Sequence, residues 1–207
     1  MDVYLRVYQV RDFDFARRLY FETMRWAIER IFGWDQGHQE ASFNAWFKPD
    51  EVSIIMADGE DVGWIQQHLD DGVIFLGSIY VKPGEQGRGI GTRVLQDLLG
   101  LARQRSQAVT LAVMKINPAF ALYKRLGFRI THEDEYKLYM RADPTTSQDP
   151  AFRVLDWQPQ PQEQDSWSLA DRVAQFYSMR SGFLGFSATL CSTRRRRPEA
   201  DVRVAGK

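Results

Sequence analysis

The chain has 207 residues, 44% of them hydrophobic, enough for one domain with a genuine core plus an appendage and short for two ordinary domains. Lys plus Arg equals Asp plus Glu at 27 each, so bulk charge gives no reason to expect nucleic acid or an anionic membrane as a partner, and specific binding has to come from a site. The single cysteine, Cys191, excludes an internal disulfide and a multi-cysteine metal centre, Met1–Arg11 lacks the apolar centre of a secretory signal, and no run of about eighteen apolar residues is present to span a membrane; the expected compartment is the cytoplasm.

Val3, Leu5 and Val7 are separated by single residues, the period-two pattern of a half-buried strand, and this strand is expected to end near Val10. Asp12 is placed to cap a helix, along which Phe15, Leu19, Trp26 and the Ile28/Ile31 pair recur on one face until Gly33 stops it. Gln36 to Phe47 is a weaker helical stretch broken before Pro49, whose Phe43, Trp46 and Phe47 would cover an apolar surface. Val52–Ala57, Val62–Leu69 and Val73–Val81 are rich in β-branched and apolar residues. They are joined at Asp58-Gly59 and Asp71-Gly72, dipeptides that readily supply the positive φ angles of tight hairpins, so the three read as an antiparallel meander.

Beyond Gly89, the spacing of Ile90, Val94, Leu95, Leu98 and Leu101 predicts a helix, and Val109–Val113 a strand after it. Asn117 is placed to cap a further helix with Pro118 at its first position, Gly127 ends that helix, and Phe128–Thr131 and Tyr136–Met140 follow as strands. A meander running into crossover helices implies an α/β (α+β) domain with a mixed sheet and helices packed on its faces, closing near Asp143. From residue 144 to 207 the composition shifts to Pro, Gln, Ser and Asp, as in a linker and tail. Within it Leu169, Val173, Phe176 and Tyr177 share one face of an amphipathic helix expected at Ser166–Met179, which would dock on its own domain or on another subunit, as in a homodimer. The cationic run Arg194–Arg197 reads as part of a solvated terminus rather than a nucleic-acid site.

The chemistry concentrates in Gln86-Gly87-Arg88-Gly89-Ile90-Gly91, where three glycines lie between a predicted strand and a predicted helix. Without side chains in the way, such amides can approach a pyrophosphate closely, and the helix dipole adds roughly 0.3 to 1 kcal/mol of attraction for an anion, with Arg88 available for a charge-assisted contact. A tight strand-to-helix turn is the plainer reading of the same residues. A P-loop is excluded because Gly91 is followed by Thr92 and Arg93 rather than Lys and a hydroxyl residue, and a dinucleotide fingerprint would follow a first parallel strand, not a meander.

Three segments together resemble the GCN5-related N-acetyltransferase (GNAT) family: Ile79-Tyr80-Val81, Gln86–Gly91, and Asn117-Pro118-Ala119-Phe120-Ala121-Leu122-Tyr123-Lys124-Arg125-Leu126-Gly127-Phe128. The resemblance covers roughly Val3–Met140 and implies a mostly antiparallel sheet with splayed central strands and helices on both faces. It implies acetyl-CoA as acyl donor, its pantetheine arm beside Ile79, Tyr80 and Val81, its pyrophosphate surrounded by Gln86, Gly87, Arg88, Gly89, Ile90, Gly91 and Thr92, and Asn117 helping to fix the arm. Packing alone also accounts for Ile79 and Val81, and helix capping for Thr92 and Asn117. By the same resemblance Tyr123 is the acid that protonates the departing thiolate; a phenol with an ordinary pKa near 10 carries its proton at neutral pH.

The acceptor amine must also lose a proton. Glu22, Asp35, His38, His68 and Glu133–Glu135 are the candidates, each more often a solvated or structural group. Trp26, Trp34, Trp46 and Trp64 would either line an aromatic acceptor pocket or pack in the core. No metal-ligand cluster is apparent, so no metal is expected. The expected activity is acetyl transfer to a small-molecule or peptide amine by direct attack; a non-catalytic acyl-CoA sensor is the alternative.

Overall fold

Among the described residues, each stretch with a period of two becomes a strand and each with helical spacing a helix, with boundaries close to those expected. The computed structural model describes residues 1–144. Its strands are β1 (Val3–Val7), β2 (Val52–Ala57), β3 (Glu60–Asp70), β4 (Val73–Val81), β5 (Ala108–Met114), β6 (Arg129–Glu133) and β7 (Lys137–Ala142); its helices are α1 (Phe13–Phe32), α2 (Gln36–Trp46), α3 (Ile90–Gln104) and α4 (Ala119–Arg125). The strands form one sheet in the order β1-β2-β3-β4-β5-β7-β6, antiparallel throughout except where β4 runs parallel to β5. Both hairpin turns of the meander hold two consecutive positive φ angles, 50° and 88° at Asp58 and Gly59, 44° and 75° at Asp71 and Gly72, which matches the right-handed twist of the strands they join.

The sheet separates two cores. On one side α3 and α4 pack Ile90, Val94, Leu95, Leu98 and Tyr123 against Ile65, Ile74, Leu76, Val109, Leu111 and Met140. On the other, α1 and α2 bring Ala16, Leu19, Tyr20, Phe43 and Phe47 onto Val52, Ile54 and Trp64. The second core is dominated by rings: Phe43 and Phe47 stack at 4.9 Å, Trp46 and Trp64 at 6.0 Å, and the Trp64 indole N–H donates to the carbonyl of Ala16 at 3.1 Å.

Three local expectations are corrected. The strand from Val3 stops at Val7, because Val10–Asp12 turn into a 3-10 helix. Asp12 does hold the position before α1, but its carboxylate caps no helical amide; it accepts the Gln9 N–H at 2.8 Å and a bidentate pair from Arg6 at 2.7 and 2.9 Å. Arg6 also reaches Asp61 at 2.9 and 2.7 Å, so one guanidinium joins β1, the start of α1 and β3. The buried stripe of α1 is Ala16, Leu19, Tyr20, Ala27 and Ile28, whereas Trp26 stays 46% exposed. Two small alanines, Ala16 and Ala27, lie on that stripe and allow close approach to the sheet, a signal weaker in sequence than the large residues beside them.

Among the described residues no helix is long and apolar enough to cross a membrane, and no three His, Cys, Asp or Glu are grouped to hold a metal ion. The helix expected at 166–179 and the arginine run at 194–197 lie outside the described residues.

Candidate active site

The central sheet opens between β4 and β5. Their parallel ladder spans only Val73–Leu76 against Ala108–Leu111, yet β4 stays paired with β3 as far as Val81, and β5 with β7 as far as Met114. Gly77 marks the cause. In the β3 register Gln67 faces Leu76 and Gln66 faces Ser78, so Gly77 is an extra residue, a β-bulge that bends β4 away from β5 where the ladder ends. The bulge also resets the alternation: Ile74 and Leu76 before it and Ile79 and Val81 after it all pack with α3, while Tyr80 turns to the aromatic core. An isolated glycine within a strand pattern was the available signal for this feature.

Beyond β4 the chain makes a short 3-10 turn at Pro83–Glu85 and then the glycine loop. Gly87 and Gly89 take φ values of 76° and 85°, where side chains are strained, and Gly89 stands before α3 with no side-chain cap on the first helical turn. Gly91 has helical geometry, and a Cβ built there meets nothing nearer than Leu122 Cδ2 at 3.8 Å. Glycine inside a helix costs about 1 kcal/mol against alanine, and no protein neighbour demands it here; the room over the first turn suits close approach by a ligand. The Gln86 side-chain amide donates to the Val81 carbonyl at 2.9 Å and ties the loop back to the open edge of β4. Arg88 is exposed and paired with Glu85.

The second motif builds the opposite wall. The Asn117 side chain accepts the Ala119 N–H at 2.9 Å, capping α4 as expected with the boundary one residue later. At the other end Gly127 (φ 94°) closes the helix: Phe128 N–H bonds Tyr123 C=O at 3.1 Å, Gly127 N–H bonds Lys124 C=O at 3.1 Å, and the Tyr123 and Phe128 rings meet edge-on at 5.8 Å. This is a Schellman cap with its apolar contact, so the Gly127-Phe128 pair sets where Tyr123 points. Burial pushes the Tyr123 phenol up to about 12, and it raises Tyr80 as well; both stay protonated across the neutral range.

A cleft of about 610 Å3 joins these parts, lined by Ile79, Tyr80, Val81, Gln86, Gly87, Gly89, Ile90, Gly91, Thr92, Asn117 and Tyr123. Of the cofactor-binding and catalytic residues singled out from the sequence, all meet there except Arg88, and Arg125 of α4 supplies a cationic wall residue instead. Thr23, Met24 and Trp26 of α1 complete it; nothing local in sequence ties that helix to the loop some sixty residues on. Of the tryptophans, Trp26 reaches the cleft, Trp46 and Trp64 belong to the aromatic core, and Trp34 donates to Gln36 with Arg25 over its ring at 5.0 Å. None of the candidate bases lines the cleft among the described residues. Asp35 caps α2 through the His38 N–H at 2.7 Å, Glu133 pairs with Lys115 at 3.2 Å, Asp134 accepts the amides of Tyr136 and Lys137, Glu135 accepts the Tyr136 hydroxyl, Glu22 is exposed, and His68 is buried beside Glu51.

A family model described as the acetyltransferase (GNAT) family matches residues 14–128, from α1 through the α4 cap. The chain belongs to the GNAT acetyltransferase family. A mycothiol acetyltransferase of Streptomyces avermitilis is 32% identical over 96 residues, which is 44% of this chain and 30% of that relative; the chain thus spans less than a third of the curated relative it matches. The fold is that of solved GNAT N-acetyltransferases. The PaiA N-acetyltransferase of Thermoplasma acidophilum, solved with coenzyme A, superposes with a TM-score of 0.58 at 17% identity, covering 69% of this chain and 99% of that one. The ribosomal-protein-S18-alanine N-acetyltransferase of Escherichia coli gives 0.54 at 18% identity, covering 73% and 100%.

Proposed function

We propose that this GNAT domain binds acetyl-CoA in the 610 Å3 cleft and transfers the acetyl group to a primary amine by direct attack, with Tyr123 protonating the sulfur that leaves. The observation that carries the reading is the coincidence of an opened β4–β5 ladder, a side-chain-free helix start and a buried tyrosine along one cleft. The fit is good for an anionic, extended donor. Amides at Gly87–Thr92 and the α3 dipole face a diphosphate, Arg125 adds a cation, and the edge of β4 from Gly77 to Val81 offers strand-like hydrogen bonds to an amide-containing arm. A thioester so held lies with its carbonyl at the gap in the sheet. The amine's lone pair forms the new C–N bond, the C–S bond breaks, the thiolate takes its proton from the Tyr123 hydroxyl, and the tyrosinate recovers a proton from the newly acylated nitrogen.

Release of free CoA over a panel of small-molecule and peptide amines tests the reading, with acetyl-CoA beside longer acyl-CoAs. Amine-dependent release above the hydrolytic background is expected. Tight acetyl-CoA binding without release across the panel would instead identify an acyl-CoA sensor.

A further inference from the structure

The transfer needs an amine that has lost its extra proton, and the cleft walls hold no histidine among the described residues. Beneath α1 and α2, however, β3 directs Trp64, Gln66 and His68 to the same face of the sheet. The His68 side chain is 8% exposed and its Nδ1 lies 3.5 Å from Glu51 Oε2, on a side chain only 6% exposed. The Gln66 side-chain amide donates to that same oxygen at 3.0 Å and to the Trp46 carbonyl at 3.1 Å. What this arrangement leaves over is specific: His68 Nε2 and Gln66 Oε1 are both buried with no hydrogen-bond partner in the protein. A buried polar atom without a partner costs about 1–3 kcal/mol, so two acceptors left facing inward are poorly explained by stability.

Their position gives them a use. His68 pairs across the strands with Phe75, ring to ring at 5.2 Å, one residue before Leu76, where β4 parts from β5. Gln66 pairs with Ser78, the first residue past the bulge and on the open stretch of β4. The two residues therefore pair with β4 on either side of the point at which it leaves β5. A proton on Nδ1, the nitrogen facing Glu51, would leave the Nε2 lone pair available.

We propose that His68, oriented by Glu51, is the proton acceptor for the incoming ammonium group, reached through water held between Nε2, Gln66 Oε1 and the gap. The inference rests on the acetyl-transfer reading and deepens it. One N–H bond of the ammonium breaks and its proton passes through water to Nε2, giving an imidazolium held by the Glu51 carboxylate; the freed amine attacks the thioester carbon. The second amine proton leaves with the thiolate by way of Tyr123, and His68 returns its own to solvent, so the net release is one proton per turnover. The charged group packed on the imidazole is Glu51, from the turn at 49–51; β4 presents Phe75 and β3 itself Gln66, both uncharged.

Two measurements on the full chain decide it. Nitrogen-15 NMR of the wild-type protein, with the signal assigned through His68→Gln, is expected to show the neutral Nδ1–H tautomer and a shift on adding acetyl-CoA; an Nε2–H tautomer overturns the proposal, whether or not the variant folds. With an amine that the wild type acetylates, His68→Gln is expected to lower kcat/KM about 100-fold and to abolish the acidic limb of its pH profile, with acetyl-CoA affinity by calorimetry unchanged. Glu51→Gln is expected to lower the rate less. Retention of that limb in a folded His68→Gln enzyme sinks the role of His68 alone, whereas a wild type that acetylates no amine sinks the transfer reading and this inference with it.

Discussion

Tyr123 owes its place to the helix cap that follows it in the chain. Its carbonyl accepts Phe128 N–H at 3.1 Å and its ring leans on that phenylalanine, so the phenol is aimed by a helix cap and held protonated by burial, with its pKa pushed up to about 12. Tyr123→Phe keeps the ring contact and removes only the hydroxyl. It is expected to lower kcat on the order of 100-fold with acetyl-CoA affinity unchanged, which single-turnover kinetics beside calorimetry will check. Arg88 and Arg125 make the opposite lesson. The sequence offers Arg88 because it sits among the glycines, but Glu85 holds it, while Arg125 lines the cleft. Arg125→Ala is expected to weaken acetyl-CoA binding roughly tenfold, the worth of one charge-assisted contact, and Arg88→Ala less than twofold; titration calorimetry at fixed salt separates them. The glycines and the Asn117–Phe128 segment were legible because they need no partner to be recognised: positive φ, caps and a helix start are local facts.

At the level of elements, the opening in the sheet depends on how closely β3 and β4 run. A Cβ on Gly63 would lie 2.2 Å from the Tyr80 carbonyl oxygen and 3.2 Å from Val81 Cα, backbone atoms that cannot rotate aside. Gly63→Ala is therefore expected to push β4 at the cleft, lowering stability by about 1–3 kcal/mol and weakening acetyl-CoA binding, read by thermal melting and calorimetry. Gly77→Ala contrasts with it. Its added carbon would rest 3.5 Å from the Gln66 carbonyl, an ordinary contact, so the bulge should keep its form and the melting temperature should move little. Strand existence, hairpin turns and helix limits were readable from periodicity and turn residues, and β2 and β4 match their expected bounds. The bulge was not, because an extra residue exists only relative to the strand beside it. The α1 stripe was misread for a related reason: alanines carry little periodic signal, although their small size is what lets the helix sit close.

For the whole molecule, the Arg6 fork is the charge cluster that joins distant segments, bridging Asp12 and Asp61 across three elements. The hydrogen bond from Arg6, supported by the Gln9 amide, holds the Asp12 carboxyl below its ordinary value of 3.8. A depressed folded value means that this contribution to stability is complete above 3.8 and is lost as pH falls through the lower folded value. Wild type is thus expected to lose stability below about pH 4 more steeply than Asp12→Asn, which starts about 1–3 kcal/mol less stable at neutral pH; denaturant melts between pH 2 and 7 measure both. Local rules in the sequence determined the elements, their turns, the glycine loop and the tyrosine-bearing helix, since each depends on neighbours along the chain. Only the tertiary structure decided that β4 bends from β5, that α1 supplies Thr23, Met24 and Trp26 to the cleft, and that His68 sits beside Glu51. Those features are relations between segments far apart in the chain, and the packing of strand on strand and helix on sheet is what brings them into being.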